Sequence, residues 1–282
     1  MNVQPIVKWS GSKRSQAAAI VARMPKEIDT YYEPFCGGCS VLYRLLQAID
    51  IRVGKYVASD INKDLIELWK TIRDMPEKLN EGYAKHWEKF NSQGGNFNWR
   101  KDYFNEVRGE YNEKHEPVDF LFLIRTTVNG LVRYNRSGLF NASCHFSRPG
   151  IDPKRLGELL SEWSSLLQEK KVEFVCQEYS SVRPEADDFL YLDPPYNSVG
   201  RHQMYFGGIE NGKFFDWIKR LPCKWLMSFD GTRGETDYTA AIPKDIYVRH
   251  AYLDSGGSSF ARYLGKRTVE AVRESLYSNY EF

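Results

Sequence analysis

The run Phe189-Leu190-Tyr191-Leu192 is apolar at every position and passes without a spacer into Asp193-Pro194-Pro195-Tyr196. A short apolar run bounded by a turn signal fits a strand buried on both faces, the kind that builds mostly parallel sheets. Two prolines cannot continue a sheet ladder, because each lacks the backbone donor and fixes φ. The strand therefore ends at Leu192, and a stiff turn carries Asp193 beyond it. Taken alone, the tetrapeptide also reads as a plain strand-ending turn capped by Asp.

A strand buried on both faces needs companions, and the sequence supplies them. Tyr31-Tyr32-Glu33-Pro34-Phe35 stops at Cys36-Gly37-Gly38, and Ser40 to Ile49 follows with helical apolar spacing. Lys55 to Ser59 is a second strand-like run ending at Asp60, after which Ile61, Leu65, Leu68, Trp69 and Ile72 share one helical face. Val172 to Cys176 and Lys224 to Phe229 read as further strands, with a helix from Lys213 to Arg220 before the last. Between Met75 and Arg155 charged and aromatic residues dominate, with a glycine turn at Gly94-Gly95 and a loop-like stretch after Asn129. At 282 residues the chain is near the limit for one core, so a main domain with a smaller insert is expected. The expected fold is α/β: a doubly wound, mostly parallel Rossmann-like sheet from residues 1–74 and 156–282, interrupted by a mainly helical insert over residues 75–155. Ligands of such sheets bind beyond the carboxyl ends of the strands, where the loops Cys36–Cys39 and Asp193–Tyr196 converge.

Composition narrows the class. Hydrophobic residues at 42% and charged residues at 27% fit a folded globular chain and exclude extensive disorder. Aromatics at 15% exceed what such a core needs, leaving some to stack on flat ligands or bases. The formal charge of +2 says little, but its distribution is uneven. From Phe120 to Arg155 the cations Arg125, Arg133, Arg136, Arg148, Lys154 and Arg155 face the single acid Asp152, a field suited to phosphate or simply a solvated basic face. Five scattered cysteines fit reduced thiols in a cytoplasmic protein, and the CxxC at Cys36 and Cys39 has no second pair to complete a zinc site, so no metal is expected. No apolar run has membrane-spanning length, and the N-terminus lacks the apolar stretch of a signal peptide. Gly11-Ser12-Lys13 is not a phosphate loop, since position 6 is Ile rather than the required glycine.

Five segments occur in an order that resembles the Dam-like, alpha-group (D12 class) N6-adenine DNA methyltransferases. They are Lys8-Trp9-Ser10-Gly11-Ser12-Lys13, Glu33-Pro34-Phe35-Cys36-Gly37-Gly38, Ser59-Asp60-Ile61-Asn62, the stretch Asn129 to Asn135 with Gly138 and Phe140-Asn141, and Asp193-Pro194-Pro195-Tyr196. The resemblance implies S-adenosylmethionine as methyl donor and double-stranded DNA as substrate. It implies catalytic roles for Asp193, Pro194, Pro195 and Tyr196. An aromatic amine is a poor nucleophile, and the Asp193 carboxylate and Pro194 carbonyl would accept its two hydrogens while Tyr196 stacks on an extruded base. For the cofactor it implies Lys8, Trp9, Lys13, Glu33, Phe35, Gly37, Gly38, Asp60, Glu178 and Tyr179. Glycines would admit the methionine moiety, Asp60 would bind the ribose hydroxyls, and Lys13 would meet the carboxylate. Each has a plainer counterpart: a turn for Gly37-Gly38, a helix N-cap for Asp60, a core position for Trp9, a solvated cation for Lys8 or Lys13.

For DNA the resemblance implies Asn129, Leu131, Arg133 and Asn135 within a loop or hairpin, with Arg133 on a base edge and Leu131 wedged into the stack. Arg125, Arg136 and Arg148 would grip phosphate, and Arg262, after Ser255-Gly256-Gly257-Ser258-Ser259, would lie near the target backbone. After Phe140-Asn141, GATC-specific members carry a proline two residues on and then a Phe-Gly pair. Ala142-Ser143-Cys144-His145 stands here instead and argues against GATC. The expected protein is a monomer without membrane contact, and a cognate restriction endonuclease is a partner the resemblance leaves open. RNA or cytosine-N4 methylation on the same scaffold, or a non-catalytic DNA-binding relative, are the alternatives.

Overall fold

The computed structural model describes residues 5–145, 147–195, 210–233, 236–237, 242–257 and 271–282. A short helix α1 (Ala17–Val21) precedes strand β1 (Glu27–Glu33), helix α2 (Ser40–Leu46), strand β2 (Arg52–Asp60) and helix α3 (Lys63–Asp74). Helices α4 (Pro76–Asn91), α5 (Phe97–Lys114) and α6 (Pro117–Thr126) follow, then an irregular stretch and helix α7 (Pro153–Glu169). The chain returns to the sheet with β3 (Glu173–Cys176), β4 (Phe189–Leu192), α8 (Asn211–Lys219), β5 (Lys224–Arg233), β6 (Thr236–Asp237), β7 (Arg249–Gly257) and β8 (Ala271–Ser278).

The sheet order is β3-β2-β1-β4-β5-β8-β7, with β6 paired to β5. The first five strands are parallel to one another, whereas β8 runs antiparallel between β5 and β7. This is the expected doubly wound sheet, with an antiparallel end that the sequence did not announce. From β1 the strand order runs one way through β2 and β3, and from β4 it runs the other way to β5, so the switch point lies between β1 and β4.

Strand β4 shows how the apolar runs are used. Phe189 and Tyr191 point into one buried cluster, and Leu190 and Leu192 into a second on the opposite face. The first cluster continues without a break through Leu65 and Trp69 of α3 into Tyr83, Phe104, Tyr111 and Phe122 of the helices that follow. The stretch 75–155 therefore shares the core of the sheet. Helix α3 is capped by Asn62, whose side-chain oxygen accepts from Leu65 N at 3.0 Å, and Leu65, Leu68, Trp69 and Ile72 are buried as read. Ile61 differs: it precedes the cap, lies outside the helix and is 46% exposed. Among the described residues no helix is long and apolar enough to cross a membrane.

Candidate active site

Four parallel neighbours bring their carboxyl ends to one edge. Gly37 and Gly38 follow β1, Asp60 is the last residue of β2, Glu178 and Tyr179 follow β3, and Asp193 follows β4. Adjacent parallel strands end at the same edge, so residues far apart in sequence meet there.

The turn after β1 is held from both sides. Gly37 has φ +43°, and a Cβ there would lie 2.8 Å from Trp9 Cδ1, so the indole of Trp9 lies against a backbone that tolerates no side chain. From behind, Trp69 Nε1 donates to the Gly37 carbonyl at 2.9 Å. Gly37 N donates to Asp60 Oδ2 at 3.3 Å, and Asn62 N donates to Asp60 Oδ1 at 3.0 Å. Burial pushes the Asp60 carboxyl up to about 6 against the pull of these backbone donors. Ile61 then offers an exposed apolar surface beside that carboxyl. Phe35 packs against Tyr179 and Phe214, with ring centroids 5.5 and 5.9 Å away. Glu178 and Tyr179 line a cleft of about 690 Å³ against Lys213 and Trp217 of α8.

Asp193 stands at the tip of β4 beside a buried ammonium. Lys13 Nζ lies 2.7 Å from Asp193 Oδ1 and 2.8 Å from Oδ2, donates to the Gly11 carbonyl at 3.0 Å, and reaches Glu274 Oε2 at 3.5 Å. Burial alone pulls the Lys13 ammonium down, but Asp193 and Glu274 outweigh it and hold the group above its ordinary value. The expected partner of Lys13 was the cofactor carboxylate; in the fold it is engaged by these two acids. Glu33, expected to touch cofactor, is buried below the turn and accepts from the Tyr31 hydroxyl at 2.7 Å. Burial raises it to about 8. Pro194 is buried and Pro195 half-buried.

The stretch 131–142 forms a hairpin. Tyr134 and Phe140 are bridged, Asn141 N donates to the Arg133 carbonyl at 2.9 Å, and Asn135 N to the Leu139 carbonyl at 2.8 Å. The Asn135 side chain closes the tip by accepting from Ser137 N and Leu139 N at 2.9 and 3.0 Å. Arg133 and Arg136 are exposed on it, Leu131 is half-buried, and Arg148 is exposed nearby. Lys8 belongs with this group: a Cβ on Gly130 would lie 2.9 Å from Lys8 Cβ. Burial first, then the charges of Arg125 and Arg148, push the Lys8 ammonium down to about 8.

Arg125 corrects the reading of a phosphate contact. It is 7% exposed, and its guanidinium donates to the carbonyls of Pro5 and Ile6 at 2.9 and 3.1 Å. Charge density along the sequence says nothing of direction, and α6 is buried along most of its length. Tyr196, Arg262 and Ser258-Ser259 lie outside the described residues, as does the side chain of Asn129. Glu274, Asn62 and Ile61 were missed as site residues. Asn62 carried a signal, since an Asn just before a helical run is a cap. Glu274 carried none.

A doubly wound sheet with a glycine turn after its first strand, an acid at the end of the second and an acid at the switch point defines a Rossmann-like fold built to seat a nucleoside-containing cofactor at that edge. Residues 9–262 match the D12 class N6 adenine-specific DNA methyltransferases, and the chain belongs to that family. Over 220 residues it is 32% identical to the type II methyltransferase M.MjaIII of Methanocaldococcus jannaschii, covering 73% of each chain. It is 29% identical over 217 residues to a DNA adenine methylase of Vibrio cholerae, covering 74% of this chain and 71% of the relative. With the DNA N-6-adenine-methyltransferase of Escherichia phage P1 it shares 30% identity over 254 residues, 89% of this chain but 31% of that protein. The activity is methyl transfer to adenine N6 in DNA, with S-adenosylmethionine as donor.

Proposed function

We propose that the chain methylates an adenine extruded from duplex DNA, with the Asp193 carboxylate and the Pro194 carbonyl as acceptors for the two N6 hydrogens. The observation that carries this reading is the position of Asp193. It lies at the switch point, on the edge shared with Gly37 and Asp60, and two proline-bounded bonds stiffen the turn behind it.

The residues on that edge suit the donor. The turn at Gly37 would be blocked by a Cβ, the described donors to Asp60 are backbone N–H groups, one on each oxygen, that leave lone pairs for a ribose diol, and Ile61 beside it suits one face of an adenine. When bound, S-adenosylmethionine supplies an electrophilic methyl on a sulfonium. Asp193 accepts from one N6 hydrogen, Pro194 from the other, and the amine lone pair is localised toward the methyl. Asp193 then receives the proton that N6 loses. Lys13 Nζ, in contact with both carboxylate oxygens, fixes the direction in which Asp193 faces.

DNA meets the hairpin 131–142, with Arg133 toward a guanine edge and Arg136 and Arg148 toward phosphate. Lys8, whose Cβ lies against Gly130 and whose ammonium feels the charges of Arg125 and Arg148, extends this cationic face. The helical stretch 75–155 is the unit that carries the hairpin. The type II names of several relatives are consistent with a companion restriction endonuclease. Asp193→Ala tests the assignment. Transfer of labelled methyl to DNA should fall by about two to three decades, while binding of sinefungin, a non-reacting analogue of the donor, persists. Turnover within tenfold of wild type would sink the role given to Asp193.

A further inference from the structure

Binding of donor and of DNA uses two parts of the chain, and one line of hydrogen bonds joins them. It starts at the Asp60 carboxylate, which accepts from Gly37 N on one oxygen and from Asn62 N on the other. Asn62 Nδ2 donates to the Tyr134 hydroxyl at 3.2 Å. The Tyr134 hydroxyl is hydrogen-bonded in turn to Tyr111. Tyr111 donates to Asp64 on the first turn of α3, and His115 Nδ1 lies 2.9 Å from the same Asp64 oxygen.

Tyr134 is not a loose end of this line. It follows the exposed Arg133 directly, and its ring stands edge-on to Phe140, which is bridged across the hairpin. Helix α5 holds Phe140 through a two-way bond: Asn112 Nδ2 donates to its carbonyl at 3.1 Å, and its N–H donates to Asn112 Oδ1 at 2.8 Å. Arg108 donates to the Ala142 carbonyl at 3.2 Å. One arm of the hairpin is thus hydrogen-bonded to α5, and the other both to α5 through Tyr111 and to the cap that follows Asp60.

The residue type at 62 is informative. Capping α3 needs only a side-chain oxygen, and Ser, Thr or Asp would serve. An amide accepts from Leu65 N with its oxygen while its nitrogen donates to Tyr134; Asp has no donor, and a Ser or Thr hydroxyl has one atom for both partners. Flipping the amide would lose the cap to Leu65 N.

We infer that Tyr134 is a positioning residue that couples the two binding events: cofactor on Asp60 fixes Asn62, Asn62 fixes Tyr134, and Tyr134 sets the hairpin that presents Arg133 to DNA. This rests on the roles proposed above for Asp60 and the hairpin. Linkage then requires that DNA tighten the cofactor by the same factor by which cofactor tightens DNA.

The test measures that factor on the intact protein. Sinefungin affinity is measured by calorimetry, alone and with a saturating 20-base-pair duplex whose sequence is taken from mapping N6-methyladenine in the DNA of expressing cells. For the wild type the duplex should tighten sinefungin about tenfold, within the range usual for coupled sites. In Tyr134→Phe, sinefungin alone should bind within about twofold of wild type while the duplex effect falls to about twofold or less. Asn62→Ser keeps a capping oxygen but cannot reach Tyr134, and should lose the same coupling; the double variant should lose no more than either single one. A merely structural tyrosine would lower the melting temperature and leave the factor intact. Wild-type coupling in Tyr134→Phe, or no coupling in the wild type, overturns the inference. Because only binding is read, the outcome is independent of whether Asp193→Ala abolishes turnover.

Discussion

Replacing Lys13 by Met is the perturbation whose size the structure defines best. Lys13 is 3% exposed and stands between Asp193 and Glu274, whose side chains are 19% and 23% exposed. Removing one partner of a buried ion pair costs about 3–5 kcal/mol, because the other charge remains desolvated and unpaired. Here both acids keep some contact with water, so the lower end, about 3 kcal/mol, applies. The pH dependence follows from Glu274, which burial already holds above its ordinary value even with Lys13 beside it. Without the ammonium it rises further, so the folded state of the variant holds a proton that the unfolded chain releases. The penalty is therefore least below the ordinary carboxylate range and grows as pH rises through the raised value. Equilibrium urea unfolding at pH 5 and pH 8 reads this directly: Lys13→Met should lose about 3 kcal/mol at pH 8 and clearly less at pH 5. Adding Glu274→Gln should restore more than about 1 kcal/mol at pH 8, since the two sites are coupled. Unfolding of Lys13→Met within about 0.5 kcal/mol of wild type at pH 8 would refute the view that this buried cluster depends on its ammonium.

Asp60, with its carboxyl near 6, accepts ribose hydroxyls best when ionised; sinefungin affinity by calorimetry should be flat above pH 7 and weaken as pH falls through 6, and Asp60→Asn should bind more weakly with no such slope. Gly37→Ala places a side chain at φ +43° and 2.8 Å from Trp9, and should lower stability by about 1–2 kcal/mol from the left-handed backbone while losing cofactor affinity through displacement of Trp9. Gly109→Ala, inside α5 with nothing within 4 Å, should instead gain up to about 1 kcal/mol of stability in the same preparation. Arg133→Ala should relax discrimination at one base pair by about 1–3 kcal/mol in a duplex panel. Arg125→Ala should leave the salt dependence of DNA binding unchanged and lower the unfolding midpoint, since it strands the Pro5 and Ile6 carbonyls.

The parallel half of the sheet was legible because its signals are local. A short apolar or aromatic run that ends at two prolines, two glycines or an acid before a helical period marks a strand and its tip, which is why β1, β2, β4 and the edge bearing Gly37, Asp60 and Asp193 could be placed from residues alone. The antiparallel strands were not, since Arg249-His250-Ala251-Tyr252-Leu253 mixes polar and apolar side chains without strict alternation. Ile61 was misplaced by extending the helical period one residue past its Asn62 cap. Arg125 was misjudged because charge along a sequence carries no inward or outward sense, and here the guanidinium satisfies backbone carbonyls. Glu274 could not be found at all: its meaning comes from Lys13, and only the folded sheet brings the two together.

The segment holding Lys8, Trp9 and Lys13 is made long before its partners. Pro5 and Ile6 wait for Arg125, about 120 positions on, and Lys13 waits 180 positions for Asp193 and longer still for Glu274 in the final strand. At ordinary elongation speeds that delay is on the order of tens of seconds. Nascent protein would thus pass through translation with its reactive centre open, and residues 5–13 would dock only long after they are made.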